Sequence, residues 1–177
     1  MTQLKPTIIC QNPKCKTENR GDARFCIKCG EPLPKPVRIF ISYAHEDEHL
    51  EKKLITHLSP LQRVRGTLVW HDRDIKAGND WTTDIDNNLL AADIILLLVS
   101  ADFMVSAYCY SVEMKAAMER NEKGEARVIP IILRPTELEG TPFMKLQALP
   151  HGAKPVSRWS DIDDALLDVV KGIKAVL

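Results

Sequence analysis

Two groups of residues have the types and spacing to do chemistry. Four of the five cysteines fall within the first 30 residues, in "CQNPKCKTENRGDARFCIKCG". Cys10 and Cys15 have four residues between them, and Cys26 and Cys29 have two. Thiolate pairs carried on short turns can converge on one tetrahedral ion, for which Zn²⁺ is the usual occupant. Asn12-Pro13 and Cys29-Gly30 supply turn chemistry beside each pair. Two disulfides are the alternative. The second candidate is Glu113, in "SAYCYSVEMKAAM" (106–118). On a helix its neighbours at three and four residues are Cys109, Tyr110, Ala116 and Ala117. None is cationic, so helical spacing alone supplies no salt bridge for the carboxylate. It is either a solvated helix residue or part of a site.

The surrounding chain must position both. Its 177 residues allow one ordinary domain and a small extra module. The formal net charge is zero, which gives no global argument for nucleic acid or an acidic membrane. The charge is uneven, with net +4 over residues 1–36 and net −4 over the rest. No apolar run approaches a membrane span, and the N-terminus lacks a signal-peptide pattern. The expected location is the cytoplasm, where paired cysteines more often mean metal than disulfide. Residues 1–34 are expected to form a metal module too small to fold without its ion, with Phe25 as its one sizeable aromatic anchor. Residues 35–37 close the proline-rich "EPLPKPV" as a stiff linker, and 38–177 form the second domain.

In that domain strand-like and helix-like segments alternate. The expected strands are 38–43, 66–72, 93–100, 126–133 and 154–159. The expected helices are 46–61, with Leu50, Leu54, Ile55 and Leu58 on one face, then 80–92, 101–120, and a last helix from Ser160. This alternation predicts an α/β fold with a flavodoxin-like five-stranded parallel sheet, order 2-1-3-4-5, and helices on both faces. Such sheets bind ligands beyond the carboxyl ends of the strands, where the order reverses. The edges of that crevice would be "SYAHED", "DRDIKAGND" and "SADF". No Gly-x-Gly-x-x-Gly, Walker or Ser-His-Asp pattern accompanies it.

Two resemblances follow from these motifs. "FCIKCGEPL" resembles a short zinc ribbon, although the gap between Cys10 and Cys15 is wider than the usual two residues. That implies a structural Zn²⁺ on Cys10, Cys15, Cys26 and Cys29, and possible docking of a protein partner. "RIFISYAHEDEHLEKKL", "DRDIKAGNDW", "ADIILLLVSADFMVSAYCYSVEM" and "RVIPIIL" together resemble a bacterial TIR (Toll/interleukin-1 receptor) domain over 38–177. Members of that family either scaffold signalling complexes or cleave NAD⁺ at the nicotinamide–ribose bond. The cleaving members carry a glutamate in the helix after the third strand, the position of Glu113. The resemblance therefore implies an NAD⁺ glycohydrolase or cyclase with Glu113 as the catalytic carboxylate. It places Ser42, Tyr43, Ala44, His45, Asp72, Lys76 and Cys109 against the nucleotide. Cys109 stands where the cleaving members often have Trp, flanked here by Tyr108 and Tyr110. It further implies self-association through the 72–79 loop (the BB loop) and a role in bacterial defence or stress signalling. The rival expectation is a non-enzymatic TIR adaptor.

Overall fold

The computed structural model describes residues 7–21, 23–71, 87–106 and 113–177. Two short strands open the chain, β1 (Thr7–Ile9) and β2 (Glu18–Arg20), paired antiparallel. A four-stranded parallel sheet follows: β3 (Arg38–Ser42), β4 (Leu68–Trp70), β5 (Ile94–Val99) and β6 (Arg127–Ile132), in the order β4-β3-β5-β6. The helices are α1 (Glu48–Arg65), α2 (Ala101–Val105), α3 (Met114–Glu122) and α4 (Ile162–Lys174), and residues 87–91 are also helical.

The strand sequences explain the layers. Side chains alternate between the faces of a strand, and a sheet covered on both faces can be apolar at every position. In β5 all six residues, Ile94 to Val99, are buried. Ile94, Leu96 and Leu98 join Ile39, Ile41, Ile129 and Ile131 on one face, covered by Leu50, Leu54 and Leu58 of α1 and by Leu166, Val169 and Ile173 of α4. Ile95, Leu97 and Val99 join Phe40, Val128 and Ile132 on the other, covered by Leu89, Phe103, Met114 and Ala117. Trp70 stacks on Phe40 with ring centroids 5.2 Å apart, tying β4 to this second layer.

The expected order 2-1-3-4 is present, but the expected fifth strand at 154–159 is not a strand. Leu149 makes one parallel bridge to Ile131, with its N–H on the Pro130 carbonyl and its own carbonyl taking the Ile132 N–H, both at 2.8 Å. Pro150 and Pro155 then remove the donors a ladder needs, and Val156–Arg158 closes as a single 3₁₀ turn. The expected helix 101–120 is also divided. Ser106 takes extended backbone angles (φ −65°, ψ 110°) and stops α2, and α3 begins at Met114, with Glu113 before it at helical angles. The last helix starts at Ile162 and not at Ser160, because the Asp161 side chain accepts the Asp163 N–H. The expected Asp80 cap lies outside the described residues.

The N-terminal strands pack directly on the parallel-sheet domain. Ile8 is fully buried, in a small cluster with Cys10, Cys26 and Leu33. It also lies against Gly66, the left-handed residue (φ +65°) that ends α1. A Cβ at Gly66 would stand 3.0 Å from Ile8 Cδ1. Gly66→Ala therefore combines left-handed strain with overpacking. It is expected to cost about 1–3 kcal/mol and lower the melting temperature, read by circular dichroism. Phe25, expected as the module's anchor, is instead 62% exposed. Ile8 and Leu33 fill that role. Val37, expected in the linker, already accepts the Leu68 N–H at 2.8 Å.

Candidate functional site

The order β4-β3-β5-β6 fixes where a crevice can lie. The chain leaves β3 toward β4 on one side and returns to β5 on the other, so the carboxyl ends of β3 and β5 form the switch point. Ser42 is the last residue of β3 and lies opposite Leu97 of β5. Its hydroxyl donates to Glu113 Oε2. Both residues are buried, Ser42 at 2% exposure and Glu113 at 4%. Met114 and Ala117 hold α3 in the apolar layer beneath the sheet, and this seats Glu113 beside β3. A carboxylate so withdrawn from bulk water, with a neutral hydroxyl donor, is suited to stabilise positive charge developing beside it. Ser42→Ala would remove a hydrogen bond from a buried carboxylate. The expected loss is about 1–3 kcal/mol of stability, measured by urea unfolding.

The remaining sequence candidates divide into two sets. Tyr43 and Ala44 follow Ser42 and are buried, whereas His45 is exposed. The Tyr43 and His45 rings meet edge to face with centroids 6.3 Å apart. Asp72, Lys76 and Cys109 lie outside the described residues, as do Tyr108, Tyr110 and Trp81.

The sequence reading missed a polar cluster at the same sheet edge. Asp47, fully buried, accepts the Ser100 hydroxyl, and Ser100 Oγ in turn accepts the Phe103 N–H at 3.1 Å as the cap of α2. Arg134, just beyond β6, reaches Asp47 Oδ1 at 2.8 Å and also pairs with Asp102. The Asp102 hydrogen bond, opposed by partial burial and helped by the charge of Asp47, holds the guanidinium above its ordinary pKa. "SYAHED" and "SADF" contain three of the four residues, but no spacing in the sequence connects them to Arg134.

In the N-terminal module the four sulfurs lie within 4.8 Å of one another. Cys10 and Cys29 are 3.6 Å apart, as are Cys15 and Cys26, and all four thiols are free. The turns arise locally. Asn12 takes the Cys15 N–H on its carbonyl and the Lys14 N–H on its side chain, and Gly30 (φ +74°) sends its N–H to the Cys26 carbonyl. The Cys29 backbone N–H, opposed by burial and aided by Lys28 and Asn19, draws the Cys26 thiol down to about 6. At Cys29 the Glu31 N–H pulls the same way, but loss of water and crowding by Cys15, Cys10 and Cys26 push the thiol up to about 12. The Thr17 hydroxyl and N–H lower Cys15 as well, whereas Cys10 and Cys29 are raised, and a cation shared by the four would favour the thiolate at each. The four cysteines could hold one metal ion.

Comparison with known proteins decides the family of the larger domain. Residues 39–164 match the family model for the TIR domain. The chain belongs to the TIR domain family. A relative in Sinorhizobium fredii, the uncharacterised protein y4lF, is 51% identical over 136 residues, which cover 77% of this chain and 42% of that protein. The chain thus spans less than half the length of the curated relative it matches. The TIR domain of the Toll-related receptor TRR-2 from Hydra magnipapillata superposes with a TM-score of 0.58 at 19% identity, covering 78% of this chain and 96% of that one. That likeness establishes the TIR fold and nothing about activity. Among the described residues, no helix of this TIR protein is long and apolar enough to cross a membrane.

Proposed function

We propose that this TIR protein cleaves NAD⁺ at the nicotinamide–ribose bond, giving nicotinamide and either ADP-ribose or a cyclic isomer. The observation that carries the reading is the buried Ser42–Glu113 pair at the carboxyl end of β3, at the switch point of a TIR fold. When the C1′–N bond breaks, its electron pair leaves with nicotinamide as a neutral pyridine, so no strong acid is required. The ribose acquires oxocarbenium character, which a desolvated carboxylate stabilises, as in glycoside hydrolysis. Water then adds at C1′ and loses its proton to solvent, or the adenine of the same molecule closes the ring. Tyr43, Ala44 and His45 would line the nucleotide side, and Asp72, Lys76 and Cys109 are proposed to bind the nucleotide with them. Self-association through 72–79 would complete the site between copies, and NAD⁺ loss or the product nucleotide would serve defence or stress signalling in the cytoplasm.

Residues 1–34 are proposed as a zinc module, 35–37 as a linker and 38–177 as the TIR domain. A thiolate–zinc bond of about 2.3 Å requires tetrahedral sulfur separations of about 3.8 Å. The 3.6 Å pairs approach that spacing. Zinc would supply charge neutralisation and cross-linking there.

The test is incubation of NAD⁺ with the purified protein at high concentration, followed by chromatography. Nicotinamide together with one ribosyl product supports the reading, and the retention of that product separates hydrolase from cyclase. Intact NAD⁺ with folded, self-associated protein would instead favour an adaptor that recruits partners.

A further inference from the structure

The cluster of Asp47, Ser100, Asp102 and Arg134 joins the ends of β3, β5 and β6 one residue beyond the backbone bond from Leu133 N–H to the Val99 carbonyl at 2.9 Å. Asp47 ends the connection from β3 to α1, with its own N–H on the Ala44 carbonyl at 2.8 Å. Ser100 and Asp102 lie at the end of β5 and the start of α2. Arg134 follows β6. The connection from β3 to α1 also begins at Ser42, whose hydroxyl holds Glu113. Its first residue therefore contacts the candidate catalytic carboxylate, and its last is a buried acid held from across the sheet.

The geometry points to Arg134 as a positioning residue: by gripping Asp47 and Asp102 together, it fixes the Tyr43–Asp47 connection and so holds Ser42 in register with Glu113. The consequence for NAD⁺ cleavage rests on the function proposed above, whereas the ordering of the connection does not. Three features support a positioning role over a purely stabilising one. One guanidinium nitrogen, Nη2, meets carboxylates from two different elements, so a single group ties the β3–α1 connection to the start of α2. Ser100 gives its proton to Asp47 and takes the Phe103 N–H, so the acid is held in one orientation. The side chains of Arg134 and Asp102 are each 36% exposed, so the outer half of the cluster borders solvent at the mouth of the sheet edge.

Removing Arg134 alone would leave the buried Asp47 carboxylate without its cation and could unfold the protein. The informative variant is therefore the pair Asp47→Asn with Arg134→Met, compared with wild type and with Arg134→Lys. The double substitution leaves no buried orphaned charge, because Asp102, which also loses its cation, is 36% exposed and keeps its water, and the melting temperature is expected within about 5 °C of wild type. Hydrogen exchange over Tyr43–Asp47 is nevertheless expected to rise about tenfold, with β5 and β6 unchanged. Turnover of NAD⁺ should fall about 10²-fold with little change in KM, as misplacement of a reacting group predicts. Arg134→Lys should fall between, since it keeps the charge but shortens the reach of the one nitrogen that meets both acids. A double variant with wild-type exchange across Tyr43–Asp47 would overturn the proposal. So would a double variant with faster exchange and full turnover. If the wild type leaves NAD⁺ intact while the exchange result stands, the proposed reaction fails and the ordering role of Arg134 survives.

Discussion

Glu113→Gln is expected to reduce NAD⁺ cleavage by about 10²- to 10³-fold while leaving the fold intact. The argument has two parts. Gln has the shape of Glu, and its carbonyl can still accept the Ser42 hydroxyl proton. The packing of Met114 and Ala117 under the sheet is untouched, so the melting temperature should stay near that of the wild type. The variant loses only the negative charge, which is the property invoked at the developing oxocarbenium ion. In a site withdrawn from water that charge acts at low effective dielectric, where its loss is large. Glu113→Asp is a useful companion. It retains the charge but shortens the reach, and the Ser42 contact should be lost. Activity intermediate between wild type and Gln would show that placement and charge both matter. A Gln variant as active as wild type, with nicotinamide still released, would remove Glu113 from the reaction.

Metal removal carries the second large effect. The described part of the module has a small apolar cluster of Ile8, Cys10, Cys26 and Leu33, too little to fold unaided. Chelation, or Cys26→Ser, is expected to abolish the β1–β2 pairing. The effect should not stop there, because Ile8 lies two residues from Cys10 and is buried against Gly66 at the end of α1. Withdrawing that side chain resembles an Ile→Ala substitution in a core, worth about 2–5 kcal/mol. The TIR domain should therefore melt several degrees lower in chelator, with hydrogen exchange rising at Gly66–Trp70, where α1 hands over to β4. Metal-free protein with an unchanged melting temperature and unchanged exchange at Gly66–Trp70 would mean that the module is an independent unit.

Much of this fold was readable because its signals are local. The run Ile94–Val99 can only be a strand covered on both faces, and Leu50, Leu54 and Leu58 recur at helical spacing. The cysteine quartet was readable because each pair sits on its own short turn. What the sequence concealed depends on partners far along the chain. Ser42 and Glu113 are 71 residues apart, and Asp47 and Ser100 are 53 apart. Arg134 meets Asp102 across 32 residues, with nothing at either position to announce the other. The helix read through 101–120 failed at Ser106, where apolar periodicity gives no sign of extended backbone angles. The expected strand at 154–159 is absent because Pro155 takes away the donor at the point where pairing would start. Glu113 itself was found by type and position, but its hydroxyl partner emerged only once β3 and α3 were side by side.

The most direct measurement is nicotinamide release from NAD⁺ by wild type and Glu113→Gln, run side by side at equal high concentration with matched melting curves. The account predicts steady release by the wild type and release lower by at least about 10²-fold in the variant. Equal release by both, or none by a folded and self-associated wild type, would contradict it.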